Sequence, residues 1–135
     1  MTQSEKASSA IRMRVLIVDD SALIRLYFRQ ALEGAGFEVE QAINGIEAME
    51  KVLAEMFDLA IVDVNMPKMD GLSFIRKLRR NGSDVAALPI LMVTTEAGQK
   101  DIEEARAVGA NFYLVKPISE TDLVRYVAAL AGVGA

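Results

Sequence analysis

Four apolar runs in this chain each stop at a polar residue of a different kind, and that pattern limits what the chain can fold into. Val15 to Val18 leads into Asp19 and Asp20, Leu59 to Val62 into Asp63, Ile90 to Val93 into Thr94, and Phe112 to Val115 into Lys116. In an open parallel sheet the carboxyl ends of the strands share one edge, and ligands bind in the crevice outside it. The four endings are therefore expected to meet. Three carboxylates, a hydroxyl and an ammonium make a poor core but a good holder for a divalent cation and a phosphoryl group.

Between these runs the apolar period changes from strand to helix. After Asp20, Leu23, Tyr27 and Ala31 form one helical stripe and Ile24, Phe28 and Leu32 the next, with Arg25, Arg29 and Glu33 outside. This first helix should stop near Gly34 or Gly36. Phe37 to Gln41 reads as a strand, and Asn44 with Glu47 as a cap opening a second helix with the stripe Ile46, Met49, Leu53 and Met56. Leu72, Ile75 and Leu78 mark a third helix ending before Asn81-Gly82, and Ile102, Ala105 and Val108 a fourth ending at Gly109. Ser119 with Asp122 opens a fifth, with Leu123, Val127 and Leu130 on its apolar face. A strand followed by a helix, five times over, predicts a parallel sheet covered on both faces through right-handed crossovers. Taking Asp19, Gln41, Asp63, Thr94 and Lys116 as strand ends, the intervals are 22, 22, 31 and 22 residues. The long interval holds the Gly- and Pro-bearing loop from Asn81 to Pro89.

Composition removes several functional classes. The 135 residues fit one domain, and 52% apolar content can bury a core. A net charge of −4 argues against a general nucleic-acid surface, which needs clustered Lys and Arg. With no cysteine and no histidine there is no disulfide framework, imidazole base or common zinc site, so a metal would be a hard one held by oxygen. Residues 1–12 read as a loose tail without the apolar centre of a signal peptide, leaving 13–135 as the domain. No run approaches the ~20 residues of a membrane span. The expectation is a cytoplasmic protein that binds neither nucleic acid nor membrane.

The chemistry open to such a strand-end cluster is narrow. Carboxylates crowded at one edge repel and drift toward protonation unless a cation intervenes. Mg²⁺ suits the place, because it takes oxygen ligands, keeps several waters and is usually held by one or two carboxylates plus phosphate. A carboxylate is also a competent nucleophile that forms aspartyl-phosphates. Phosphoryl transfer then needs in-line positioning and neutralisation by metal, ammonium and hydrogen-bond donors.

The Asp19-Asp20 pair, Asp63 followed by Met66-Pro67 and Asp70-Gly71, Thr94, and Lys116-Pro117 occur in the order seen in a known family. The chain resembles the receiver domain of bacterial response regulators, in particular the single-domain chemotaxis type, over nearly its whole length. The resemblance implies a flavodoxin-like, doubly wound (βα)5 three-layer α/β sandwich with strand order 2-1-3-4-5. It implies that Asp63 takes a phosphoryl group from a histidine kinase or phosphotransfer protein, with Mg²⁺ held by Asp20, Asp63 and the Asn65 carbonyl and with Asp19 acting through water. Lys116 would pair with a phosphoryl oxygen, Thr94 would bond another and move its strand end, and Tyr113 would relay that movement inward. Asn65 and Glu96 lie where the family sets its dephosphorylation rate, and Lys116-Pro117 is expected to be cis. Gln99, Lys100, Glu103, Arg106 and Arg125, on the fourth helix and fifth helix beside the fifth strand, mark the expected effector face, a flagellar motor switch being one candidate partner.

Taken singly, these residues keep plainer readings. Asp20 or Ser21 could only cap the first helix, Thr94 could serve strand propensity, Lys116 could be a solvated strand end, and Tyr113 a half-buried edge residue. Other functions fit less well. A haloacid-dehalogenase-like phosphatase needs an acid two residues after its nucleophile, where this chain has Asn65 or Ser21. A flavodoxin-like electron carrier needs a Ser/Thr-rich phosphate loop after the first strand. A phosphate sink, a developmental or cell-cycle regulator, and a receiver cut from a larger transcriptional regulator remain alternatives.

Overall fold

The runs that end at Asp19, Asp63 and Thr94 become strands buried on both faces, and the run that ends at Lys116 becomes a half-exposed edge strand. The computed structural model describes residues 12–132; the expected tail, apart from Arg12, lies outside the described residues. The strands are β1 (Arg14–Val18), β2 (Glu38–Ala42), β3 (Leu59–Val62), β4 (Ile90–Thr94) and β5 (Phe112–Val115). The helices are α1 (Ala22–Gly34), α2 (Gly45–Ala54), α3 (Gly71–Arg79), α4 (Gln99–Val108) and α5 (Glu120–Leu130), with a 3-10 turn at Asp84–Ala87 inside the long interval. All strand pairs are parallel and the order is β2-β1-β3-β4-β5. This is the flavodoxin-like α/β architecture expected.

Alternation along the central strands divides the core into two layers. Leu16, Val18, Ala60, Val62, Ile90 and Met92 face α2, α3 and α4, packing with Met49, Phe74 and Leu78. Val15, Ile17, Leu59, Ile61, Leu91 and Val93 face α1 and α5, packing with Phe28, Leu32 and Leu123. That period of two follows from strand geometry. Side-chain caps open the helices as expected: Ser21 accepts from the Ile24 amide, Asn44 from Glu47, and Ser119 from Asp122.

Three helical readings need correction. Of the expected α2 stripe only Met49 is buried, beside Gly45, Ala48 and Val52; Ile46 and Leu53 face outward, and Met56 lies exposed beyond the helix end. Both sets have helical period, but Gly45 lies against the backbone of Met69, a close approach that only a face of small residues permits. In α1, Leu23 and Tyr27 are exposed, so the broad face is only partly used. Arg25 does not lie outside: its guanidinium turns back over the ends of β1 and β2. β2 also ends at Ala42, one residue beyond Gln41.

Candidate functional site

The carboxyl edge of the sheet gathers the chemistry. Asp19 and Asp20 follow β1, Asp63 follows β3, Thr94 closes β4 and Lys116 follows β5. The ladders continue into these residues, with the Asp63 amide bonding the Val18 carbonyl at 2.9 Å and the Lys116 amide the Thr94 carbonyl at 2.8 Å. Asp19, Asp20 and Asp63 present carboxylate oxygens within 4.8 Å of one another. Asp19, Asp63 and Thr94 are buried, while Asp20 stays open to water. Lys116 Nζ lies 2.7 Å from Asp19 Oδ2 and 3.5 Å from Asp63 Oδ2, one ammonium serving two carboxylates.

Burial pushes the Asp63 carboxyl above the ordinary carboxylate range, and the neighbouring Asp19 charge adds to this. Lys116 is the main opposing influence, helped by the Thr94 hydroxyl and by the Val64 amide, which donates to Asp63 Oδ1 at 2.8 Å. Asp19 has both oxygens engaged, one by Lys116 and the other by the Ser21 amide at 2.9 Å. Asp20 is left as the carboxylate most open to a new partner, with Asp63 Oδ2 held by the longer 3.5 Å contact to Lys116.

Two loops flank the cluster and are tied to each other. The Asn65 side-chain amide donates to Glu96 Oε1 at 2.6 Å, joining the β3–α3 loop to the β4–α4 loop. Tyr113 is half-buried, and its hydroxyl donates to the Glu96 carbonyl at 2.6 Å, so β5 holds the same loop from below. Burial, followed by the charges of Asp101, Glu96 and Asp63, keeps that phenol above its ordinary range. The Lys116-Pro117 bond is cis. Gln99, Lys100, Glu103, Arg106 and Arg125 are exposed.

The chain as a whole is similar to known proteins in sequence and fold. The sequence pattern of the response regulator receiver domain matches residues 15–128. The chain belongs to that family. Among solved structures, the chemotaxis protein CheY4 of Vibrio cholerae superposes with a TM-score of 0.83 at 41% identity, covering 88% of this chain and 98% of that one. The response regulator MprA of Mycobacterium avium is 36% identical over 87% of this receiver, and the sensor protein EvgS of Escherichia coli 36% over 88%. The chain spans 50% of the MprA length and 10% of EvgS. It is thus a receiver-domain signalling module of the two-component type.

Sequence reasoning overlooked two positions that shape the receiver's site. Arg25 donates to the Asp19 carbonyl at 2.7 Å and to Gln41 Oε1 at 3.0 Å, fixing the turn that carries both acidic residues. Its signal was available, since a residue four beyond the cap Ser21 shares its row and points back toward the helix start. Gly71 was quoted only as part of a motif. A Cβ there would stand 2.1 Å from the Asp63 carbonyl oxygen, so α3 can start against the strand end only without a side chain.

Proposed function

We propose that the protein is a phosphoacceptor whose Asp63 takes a phosphoryl group from a phosphohistidine on a partner kinase or phosphotransfer protein. The observation that supports this best is Asp63 itself, a buried carboxylate beside Asp19, Asp20, Thr94 and Lys116. An Asp63 oxygen forms the new O–P bond as the N–P bond breaks, and the bonding pair returns to the imidazole nitrogen of the donor. Lys116 swings from Asp19 toward a phosphoryl oxygen, and Thr94 donates to another.

The donor set fits Mg²⁺. It is all oxygen, it carries more negative charge than Lys116 can balance, and exposed Asp20 lets water complete the coordination. Asp20, Asp63 and the Asn65 carbonyl would hold the ion directly and Asp19 through water. The bound ion would supply neutralisation of the charge on the transferring group.

Thr94, drawn toward the phosphoryl group, pulls the β4–α4 loop, and Tyr113 follows through its bond to the Glu96 carbonyl. The face of α4, β5 and α5 is then the effector surface. Asn65 and Glu96, bridging the two loops, tune the access of the water that hydrolyses the aspartyl-phosphate. Similarity to a chemotaxis protein over almost its full length supports a role in chemotaxis, with a flagellar motor switch as the effector and the cytoplasm as the setting. The domain then acts as a signalling acceptor, catalysing only its own phosphotransfer and dephosphorylation.

Incubation with Mg²⁺ and a radiolabelled phosphohistidine donor or acetyl phosphate tests the assignment. Label is expected on the native chain and absent from Asp63→Asn. Undiminished labelling of that variant would remove Asp63 as the acceptor.

A further inference from the structure

We infer that the amino edge of the sheet carries a second docking groove, shaped for an amphipathic helix of a partner protein whose apolar face is flanked by Lys or Arg. Residues 52–58, leading into β3, and 83–85 with 87–89, leading into β4, wall a groove of about 550 Å³. These segments precede the strands, so the groove lies at the opposite edge from the acidic cluster. Its lining includes Val52, Leu53, Met56, Phe57, Val85 and Leu88.

Two observations indicate that something apolar covers it. Leu53 is 59% exposed and Met56 87%, although both stand at the lip of an apolar groove. Ile46, 44% exposed, lies two turns earlier on nearly the same side of α2 as Leu53. Ile46 and Leu53 thus stand outward on the side of α2 that leads into the groove, with exposed Glu50 and buried Met49 between them. Exposed apolar side chains gathered at the lip of an apolar groove mark an interaction site, and a short amphipathic helix is a common occupant of such a groove.

Charge selects the occupant. Glu55, Asp58 and Asp84 border the groove, and no lining residue is Lys or Arg. The Arg14 guanidinium compensates Glu55 at 2.7 Å, donates to the Met56 carbonyl and lies over the Phe57 ring; among the described residues no salt bridge reaches Asp58 or Asp84, and these two give the rim its anionic character. An apolar floor with an anionic rim complements a basic amphipathic helix and repels an acidic one. It also disfavours a second copy of this chain, since a two-fold contact would set identical anionic rims together in a protein of net charge −4. Because the groove is remote from Asp63, its occupant binds with or without phosphorylation, as a tether that holds the receiver near a partner.

The test uses the full chain, isotopically labelled, with a synthetic Leu/Lys amphipathic helix and its Leu/Glu counterpart as probes. The Leu/Lys probe is expected to shift amides of residues 52–58 and 83–89 saturably, and to bind at least about ten-fold more tightly than Leu/Glu. Leu53→Glu and Asp84→Lys, both at exposed positions, should keep the native melting temperature and each weaken binding about ten-fold. Asp63→Asn should bind the probe as the native chain does. Equal binding of the two probes, shifts spread over other faces, no saturable shift at all, or self-association that Leu53→Glu abolishes would each overturn the proposal.

Discussion

At the scale of single residues, Asp63 is a carboxylate placed where its charge is disfavoured. Burial and Asp19 hold its pKa above the ordinary value of 3.8, so the folded state binds its proton more tightly than the unfolded chain does. The sign follows from linkage: any stabilisation from this proton is complete below pH 3.8 and is lost as pH rises through the raised folded value. At neutral pH and without metal, the tendency of Asp63 to ionise therefore works against the fold. Asp63→Asn should melt at a higher temperature than the native chain at neutral pH, and the gain should shrink as the solution is acidified toward the unfolded value. Thermal unfolding in chelator across that pH range checks this. A gain that stays constant with pH would show that the charge is not its source.

At the scale of elements, the site depends on how tightly helices and loops close on strand ends. The amide of Gly71 donates to the Val64 carbonyl at 2.8 Å, and its Cα hydrogens occupy space that a methyl would share with the Asp63 carbonyl. Gly71→Ala should therefore cost about 1–3 kcal/mol and displace the Asp63 backbone, lowering both the denaturant midpoint and the labelling rate. A variant with native stability and native labelling would contradict the close approach. The same elements show what could be read beforehand. Strand ends were legible because Val18-Asp19, Val62-Asp63, Val93-Thr94 and Val115-Lys116 each mark an abrupt change from an apolar run to a polar or charged side chain. The α2 face was not, because Ile46-Met49-Leu53 and Gly45-Ala48-Met49-Val52 both satisfy helical period, and only the proximity of Met69 decides between them. Arg25 escaped for a related reason: a charged residue beside an apolar stripe looks solvated until its long stem is seen bending over β1 toward the Asp19 carbonyl. The bridge from Asn65 to Glu96 joins residues 31 apart in sequence and has no local periodicity to announce it.

At the scale of the whole molecule, the parallel sheet gives the receiver two unlike edges. All five strands run the same way, so acidic residues collect at the carboxyl edge while the amino edge keeps its apolar groove. The carboxyl edge is left crowded with negative charge whose carboxylates, among the described residues, only Lys116 pairs with. A cation that binds only the folded cluster must then stabilise the entire cooperative unit by mass action. At about a hundred times its dissociation constant, Mg²⁺ should add about 2.7 kcal/mol, which for a domain of this size raises the melting temperature by about 10 °C. Replacing Lys116 with Met removes the internal counter-charge from the buried pair with Asp19, a loss of about 3 kcal/mol in the absence of metal. The variant should then gain more from Mg²⁺ than the native chain does, because the ion meets carboxylates with no competing ammonium. Calorimetric melting of both proteins across a Mg²⁺ titration measures this difference. An equal rise in the two, or a rise that persists when Asp20 and Asp63 are both changed to Asn, would place the cation somewhere other than the strand-end cluster.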